Sequence, residues 1–364
     1  MSLVVSLGLI ASSIGIPAGG IGLVSGILGI VNFVLSHEPT RQALGPAIRI
    51  KVGSEPPDGE AFAGDIEHVW TYNTRNQVLG GAKGRGTIGS GDVWDVTVPS
   101  PGGGETCNYV NIAAKNNAIC IAWVGVKQSD GSDLDGSWNG DIGAACGQNW
   151  YHQQEPAGRC PDNVTSTNSS CVDGLWVPRC TWIDGDGTNG IISKSLKFNV
   201  FSYSNKSVPS TLQQGMACSS TIFSGESQIF DRPAGPTVKY TYLSSKRAIE
   251  VSQTPRGLPV RKRWMEERLV VSDMKAHNAT SLCNSPTSWG PDFCDSETCC
   301  DMAHHKAHPR CDKNPVSGCM VVHDDGESIA LRKRTMVAKR DVLLPYRTYK
   351  HIKRWSLSNK KARL

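Results

Sequence analysis

The chain has 364 residues, 39% of them hydrophobic, with 38 glycines, 20 prolines and 13 cysteines. That glycine and proline load, without long charged helical blocks, argues against a helical protein and predicts a mainly β chain with long connections. The formal charge of +5 is uneven: residues 331–364 hold twelve Lys and Arg against one acid, Asp341, so this tail carries about +11 and the rest about −6.

Residues 6–35 contain no charged side chain. Gly8, Ser12, Gly15, Gly19, Gly22, Gly26 and Gly29 follow one another at alternating steps of four and three, on one helical stripe. A glycine inside a water-exposed helix costs about 1 kcal/mol against alanine. In lipid, small residues let helix backbones approach closely. Residues 1–36 are therefore expected to form a hydrophobic helix, a signal anchor or transmembrane segment, that meets the membrane and self-associates through the stripe. Pro17 is expected to kink or divide it. A cleaved signal sequence and a glycine-rich buried helix are the alternatives.

From residue 45 the pattern becomes short and alternating. "AIRIKVG", "IEHVWTYN", "DVWDVTV", "AICIAWVGV" and "SKSLKFNVFSY" read as strands, separated by turn-rich runs such as "GGAKGRGTIGSGD" and "SDGSDLDGSWNGD". Residues 45–245 are expected to form a β-sandwich-like, disulfide-braced domain. Its seven cysteines, Cys107, Cys120, Cys146, Cys160, Cys171, Cys180 and Cys218, allow three bridges and leave one thiol over; the pairing is not readable from spacing. Asn163, Asn168, Asn205 and Asn278 head glycosylation sequons. Cysteines and sequons together place the body outside the cell or in a lumen.

Two runs, "CGQNWYHQQEPAGRC" and "PRCTWIDGDGTNGI", gather Trp150, Tyr151, Trp182, Asp184 and Asp186. Aromatic platforms beside carboxylates suit a sugar, and these five are the candidate ligand-binding residues. A calcium loop starts well at Asp184-x-Asp186-x-Thr188, but Asn189 stands where glycine is wanted and Ser195 where a bidentate Glu belongs. The plainer reading is an Asp- and Gly-rich turn beside disulfide-packed tryptophans. There is no G-x-S-x-G, H-E-x-x-H or Walker loop, and no cofactor, metal or catalytic residue is assigned.

The runs "GSWNGDIGAACGQNWY", "CTWIDGDGTNGI" and "SLCNSPTSWGPDFCDSETCCDM" resemble segments of uncharacterised cysteine-rich secreted proteins of filamentous fungi. The resemblance covers parts of 120–205 and 270–320 and implies an extracellular fate.

Dibasic or tribasic sites end at Arg247, Arg263, Arg334 and Arg340 and suit processing proteases of the secretory route. Two of them bracket residues 264–334, which hold Cys283, Cys294, Cys299, Cys300, Cys311 and Cys319. That even count predicts a small six-cysteine module stapled by disulfides, and its order resembles cystine-knot peptides, apart from a long first loop. His304, His305 and His308 lie between Cys300 and Cys311; a disulfide loop with exposed histidines is expected there rather than a metal site. Residues 335–364 are expected to be a solvated, disordered basic tail.

These readings add up to a secreted or membrane-tethered, non-enzymatic protein, effector- or toxin-like, with a peptide released at the basic sites. The alternatives are a lectin-like module that binds a glycan or cell surface, and a secreted hydrolase. Nucleic acid is not expected as a partner.

Overall fold

A computed structural model describes residues 45–55, 61–100, 105–132, 134–159, 171–172, 174–204, 206–227, 260–322, 328–334 and 341–356. The N-terminal segment 1–36 lies outside them, as do Asn163, Asn168, Asn205, Arg247, Arg340, Cys160 and the Cys171 side chain. Among the described residues no helix is long and apolar enough to cross a membrane. The fold is mainly β, and the chain divides into two compact units.

Unit 1 carries β1 (Ala47–Val52), β2 (Gly64–Tyr72), β3 (Val78–Ile88), β4 (Val93–Thr97), β5 (Tyr109–Ala114), β6 (Ile119–Lys127), β7 (Gly136–Asn139) and a short helix, α1 (Gly140–Ala145). It continues with β8 (Trp150–Tyr151), β9 (Gly158–Arg159), β10 (Cys171–Val172), β11 (Leu175–Trp176), β12 (Cys180–Ile183), β13 (Ser195–Asn199), α2 (Val208–Gln213) and β14 (Phe223–Glu226). One sheet runs β4-β1-β6-β12-β8, with β7 also paired to β6. A second runs β14-β13-β5-β2-β3, and a small third runs β10-β11-β9. The pairings are antiparallel.

The sequence pattern explains these placements. β6 reads as a near-continuous apolar run, and it is the central strand, buried along almost its whole length. β13 alternates, so Leu196 and Phe198 turn inward while Lys197 and Asn199 face the other way. Side chains of the two large sheets meet at Trp138 of β7, whose ring lies 6.3 Å from Phe198 and 5.7 Å from Phe223. Burying an aromatic or aliphatic side chain of this kind contributes about 1.5–3 kcal/mol. Asn139 caps α1, its Oδ1 accepting from the Asp141 and Ile142 amides at 3.0 and 3.3 Å. Gly143 lets α1 lie on β12, since a Cβ there would stand 2.1 Å from Thr181 Oγ1. Cys120–Cys180 joins β6 to β12, and Cys146–Cys218 ties the end of α1 to the segment after α2. Cys107 is a buried free thiol.

Unit 2 carries α3 (Arg263–Glu266), β15 (Arg268–Ser272), α4 (Ala279–Asn284), β16 (Asp292–Cys294), β17 (Thr298–Asp301) and β18 (Lys306–Pro309). It ends with β19 (Met320–Val322), β20 (Ser328–Arg334), β21 (Asp341–Thr348) and β22 (His351–Trp355). One sheet runs β18-β17-β16-β15-β22 and a second runs β19-β20-β21. β15 is parallel to both of its neighbours, β16 and β22. Leu269, Val271, Cys294, Cys299, Met320, Ile329 and Tyr349 form one buried cluster of its core.

Three expectations for this region are corrected. The segment expected to be a disordered tail forms β21 and β22 over most of 341–355, because it buries Tyr349 and Trp355. The six-cysteine stretch is not a separate module, since its strand β15 pairs with β22 from beyond the second tribasic site. A cystine knot needs a bridge threaded through a ring closed by two others. Here Cys283–Cys300 is joined by Cys294–Cys299 and Cys311–Cys319, which close loops of only 5 and 8 residues and interleave with nothing.

Candidate functional site on a sheet face

The residues singled out from sequence are not assembled into a binding surface. Trp150 is 4% exposed, Tyr151 0% and Trp182 1%. Phe62 packs on Tyr151 and Trp182 at 6.1 and 5.7 Å, and the Arg179 guanidinium covers Trp150 at 4.5 Å. Their tryptophan and tyrosine rings brace the Cys120–Cys180 region and cannot stack on a sugar. Asp184 is buried; its Oδ2 accepts from the Asn189 amide and Nδ2 at 3.2 and 2.9 Å, and Asp186 Oδ1 accepts from the Thr188 amide and hydroxyl. Burial, with the neighbouring Asp186, raises the Asp184 pKa against the Asn189 donors. The pair shapes a turn. Among the described residues no group of three or more His, Cys, Asp or Glu side chains is gathered as a metal site. His304 Nδ1 lies 2.8 Å from Asp301, and His308 Nδ1 lies 3.0 Å from the Gly318 carbonyl.

Of the basic sites, the described residues Arg261, Arg263 and Arg334 lie in or beside elements of unit 2. Arg261 donates to Asp292 at 3.0 Å and to the Met265 and Gly290 carbonyls. Arg263, 83% exposed, begins α3 and pairs with Glu267 at 2.7 Å. Arg334 lies in β20, paired with Asp341 of β21. Asn278 is exposed and its Oδ1 caps α4 through the Ser281 amide at 2.7 Å.

The chemistry that sequence reading missed lies on the sheet β14-β13-β5-β2-β3, on the face that Leu196 and Phe198 turn away from. Strand register sets its side chains in rows. Glu226, Ser195, Ala113, His68 and Lys83 form one row. Ser224, Lys197, Asn111, Trp70 and Gly81 form the next, and Asn199, Tyr109, Tyr72 and Val78 a third. His68 and Trp70 stack at 5.0 Å with their planes 10° apart. The indole lies over Gly81, where a Cβ would stand 2.1 Å from Trp70 Cζ3. The glycine is therefore part of the aromatic surface, giving the ring room to lie flat.

Beside these rings is a polar cluster. Asn111 Nδ2 donates to Glu226 Oε2 at 3.1 Å and to Ser195 Oγ at 3.2 Å, and Ser195 Oγ donates to Glu226 at 3.3 Å. Lys197 Nζ lies 4.0 Å from the Tyr72 ring and 5.6 Å from Tyr109, and donates to Asn76 Oδ1 at 2.5 Å. Burial pushes the Glu226 carboxyl up, against the opposing pull of Lys197, Ser195 and Asn111. Burial likewise pulls the Lys197 ammonium down, opposed by Glu226. Tyr72 is raised by burial and by the Glu226 charge. Shifted groups gathered around half-buried aromatics are a recognisable mark of a binding or reaction site.

Such a face can take a ligand with one apolar side and several hydroxyls. Rings accept C–H groups, and the part-exposed Glu226 carboxyl can exchange hydrogen bonds with the ligand's edge, while Asn111 and Ser195, 5% and 1% exposed, hold that carboxyl in place from below. No protein-family model matches the chain, and no curated protein matches it.

Proposed function

We propose that this is an extracellular, lectin-like carbohydrate-binding protein, and that the outer face of β14-β13-β5-β2-β3 is its glycan site. The observation that supports the reading is one sheet face on which the part-exposed Trp70, His68 and Tyr109 lie in rows beside the Glu226 carboxyl, itself held by the buried Asn111 and Ser195. A sugar ring has an apolar C–H face and polar edges, which suits rings flanked by hydrogen-bonding groups. Five disulfides among the described residues fit an extracellular or lumenal location. Glu226 is the one carboxylate in these three rows. Glycoside hydrolysis generally uses a pair of carboxylates, so binding is favoured over cleavage. Within the same reading, residues 1–36 tether the chain to a membrane and self-associate through the glycine stripe. An origin among the cysteine-rich secreted fungal proteins fits it too.

The test is a glycan array probed with the full chain, followed by titration of the best ligand. Trp70→Ala is expected to weaken binding by about tenfold or more, as loss of a central aromatic does. Gly81→Val should do the same while leaving the fold intact, by lifting the indole off the sheet. Trp150→Ala should lower stability instead. Silence across polysaccharides, or unchanged binding by Trp70→Ala, would remove the proposal.

A further inference from the structure

Unit 2 has a cleft of its own, remote in kind from the sheet face above. Its volume is about 270 Å³. The chain that forms it is set by topology. β15 and β16 are parallel and α4 lies in the segment between them, a strand–helix–strand crossover. β22 is parallel to β15 on the other side. The carboxyl ends of three parallel strands therefore point the same way, and they deliver Ser272, Ser296 and Trp355 to the one cleft. In open sheets with parallel strands, ligands collect in the crevice beyond those ends.

The loop after β18 adds the charges. Arg310 is already matched: its Nε and Nη2 donate to Asp312 at 3.0 Å each, and its Nη1 to the Asp295 carbonyl at 3.0 Å. Lys313, from the same loop, and Arg354, from β22, are exposed at the cleft and have no ion-pair partner among the described residues. Asp273 is the lining carboxylate left to oppose them, so two cations face one acid. The cations come from separate elements and converge on a cleft floored by Trp355 and Val271, both buried. An ammonium and a guanidinium fork approaching from two sides suit an anion with three outward oxygens better than a flat carboxylate.

We propose that this cleft binds a tetrahedral oxyanion, carried by its ligand as a phosphate or sulfate monoester, with Lys313 and Arg354 as charge partners and Ser296 as hydroxyl donor. The site is independent of the glycan face. Its test is calorimetric titration of the full oxidised chain with inorganic phosphate and, separately, with inorganic sulfate, at low ionic strength and with chloride as the reference anion. Binding of either anion above chloride is expected, and the preferred one names the ester. Lys313→Gln and Arg354→Gln should each weaken it about tenfold, the scale of one charge-assisted contact. Asp273→Asn should tighten it, an effect that partial unfolding could not produce. Affinity no better than for chloride, or affinity unmoved by all three substitutions, would overturn the assignment.

Discussion

Glu226 and Lys197 sit where neither charge is well solvated. The folded chain holds the Glu226 proton to higher pH than an unfolded chain, whose value is about 4.5. This group's contribution is thus full below that value and is lost as pH rises through the raised folded pKa. Lys197 has the opposite sign. Its folded pKa lies below 10.5, so its unfavourable burial is relieved as pH climbs toward the ordinary lysine range. The acid-side effect can be isolated by Glu226→Gln, which keeps an acceptor for Asn111 and Ser195 without the titration. The urea-unfolding free energy of the native chain, taken relative to the Glu226→Gln variant, should fall as pH goes from 4.5 to 8. Parallel pH profiles for the two proteins would mean that the Glu226 carboxyl is solvated in the fold and that the sheet face is not the desolvated site described.

The elements show which sequence signals were physical and which misled. Alternation marked β2, β4 and β13, because a strand with one buried face writes that face into every second residue, whereas β6 was marked by a continuous apolar run that is buried on both faces. β3 was hidden. Its run "VLGGAKGRGTI" has the composition of a turn, yet its glycines make room for the Trp70 ring and the Pro99 carbonyl, so much of its pattern is carried by side chains that are absent. The polar and aromatic face of this sheet was hidden for a related reason: Trp70, Asn111, Lys197 and Glu226 are far apart in sequence, and only strand register brings them into adjoining rows. In contrast, Trp150 and Trp182 stood out because they sit beside cysteines, and the same proximity buries them. The tail misled through its charge. Arg347 Nη1 and the Tyr349 hydroxyl each donate to buried Asp292 at 2.8 Å, opposite Arg261, so part of that charge is structural. A chain ending at residue 340 would lose β21 and β22 and leave Asp292 short of two donors. Breaking a buried ionic network in this way costs about 3–5 kcal/mol. Limited proteolysis should therefore digest residues 260–334 of the truncated chain while sparing those of the full chain. Equal resistance would restore an autonomous six-cysteine module.

Across the whole molecule, each unit is closed by its own bridges, and none of the five described bridges joins the two. Their loop lengths divide them. Cys120–Cys180 and Cys146–Cys218 span 60 and 72 residues, and closing such loops restricts the unfolded chain by about 4 kcal/mol each. Cys294–Cys299 spans 5, for which the same relation gives about 2 kcal/mol. The free thiol offers a way to read unit 1 alone. Cys107 is buried, and burial pushes its pKa up to about 12, so it is protonated and shielded at neutral pH. It should resist alkylation in the native chain and react as unit 1 opens. Replacing Cys120 and Cys180 together by alanine should lower the temperature at which Cys107 is alkylated, as followed by peptide mass spectrometry. Replacing Cys294 and Cys299 should leave that temperature unchanged while lowering the melting of unit 2 by a smaller amount. If both double variants shifted Cys107 alkylation alike, the two units would unfold as one, and the bridges would have to be understood as staples of a single cooperative body.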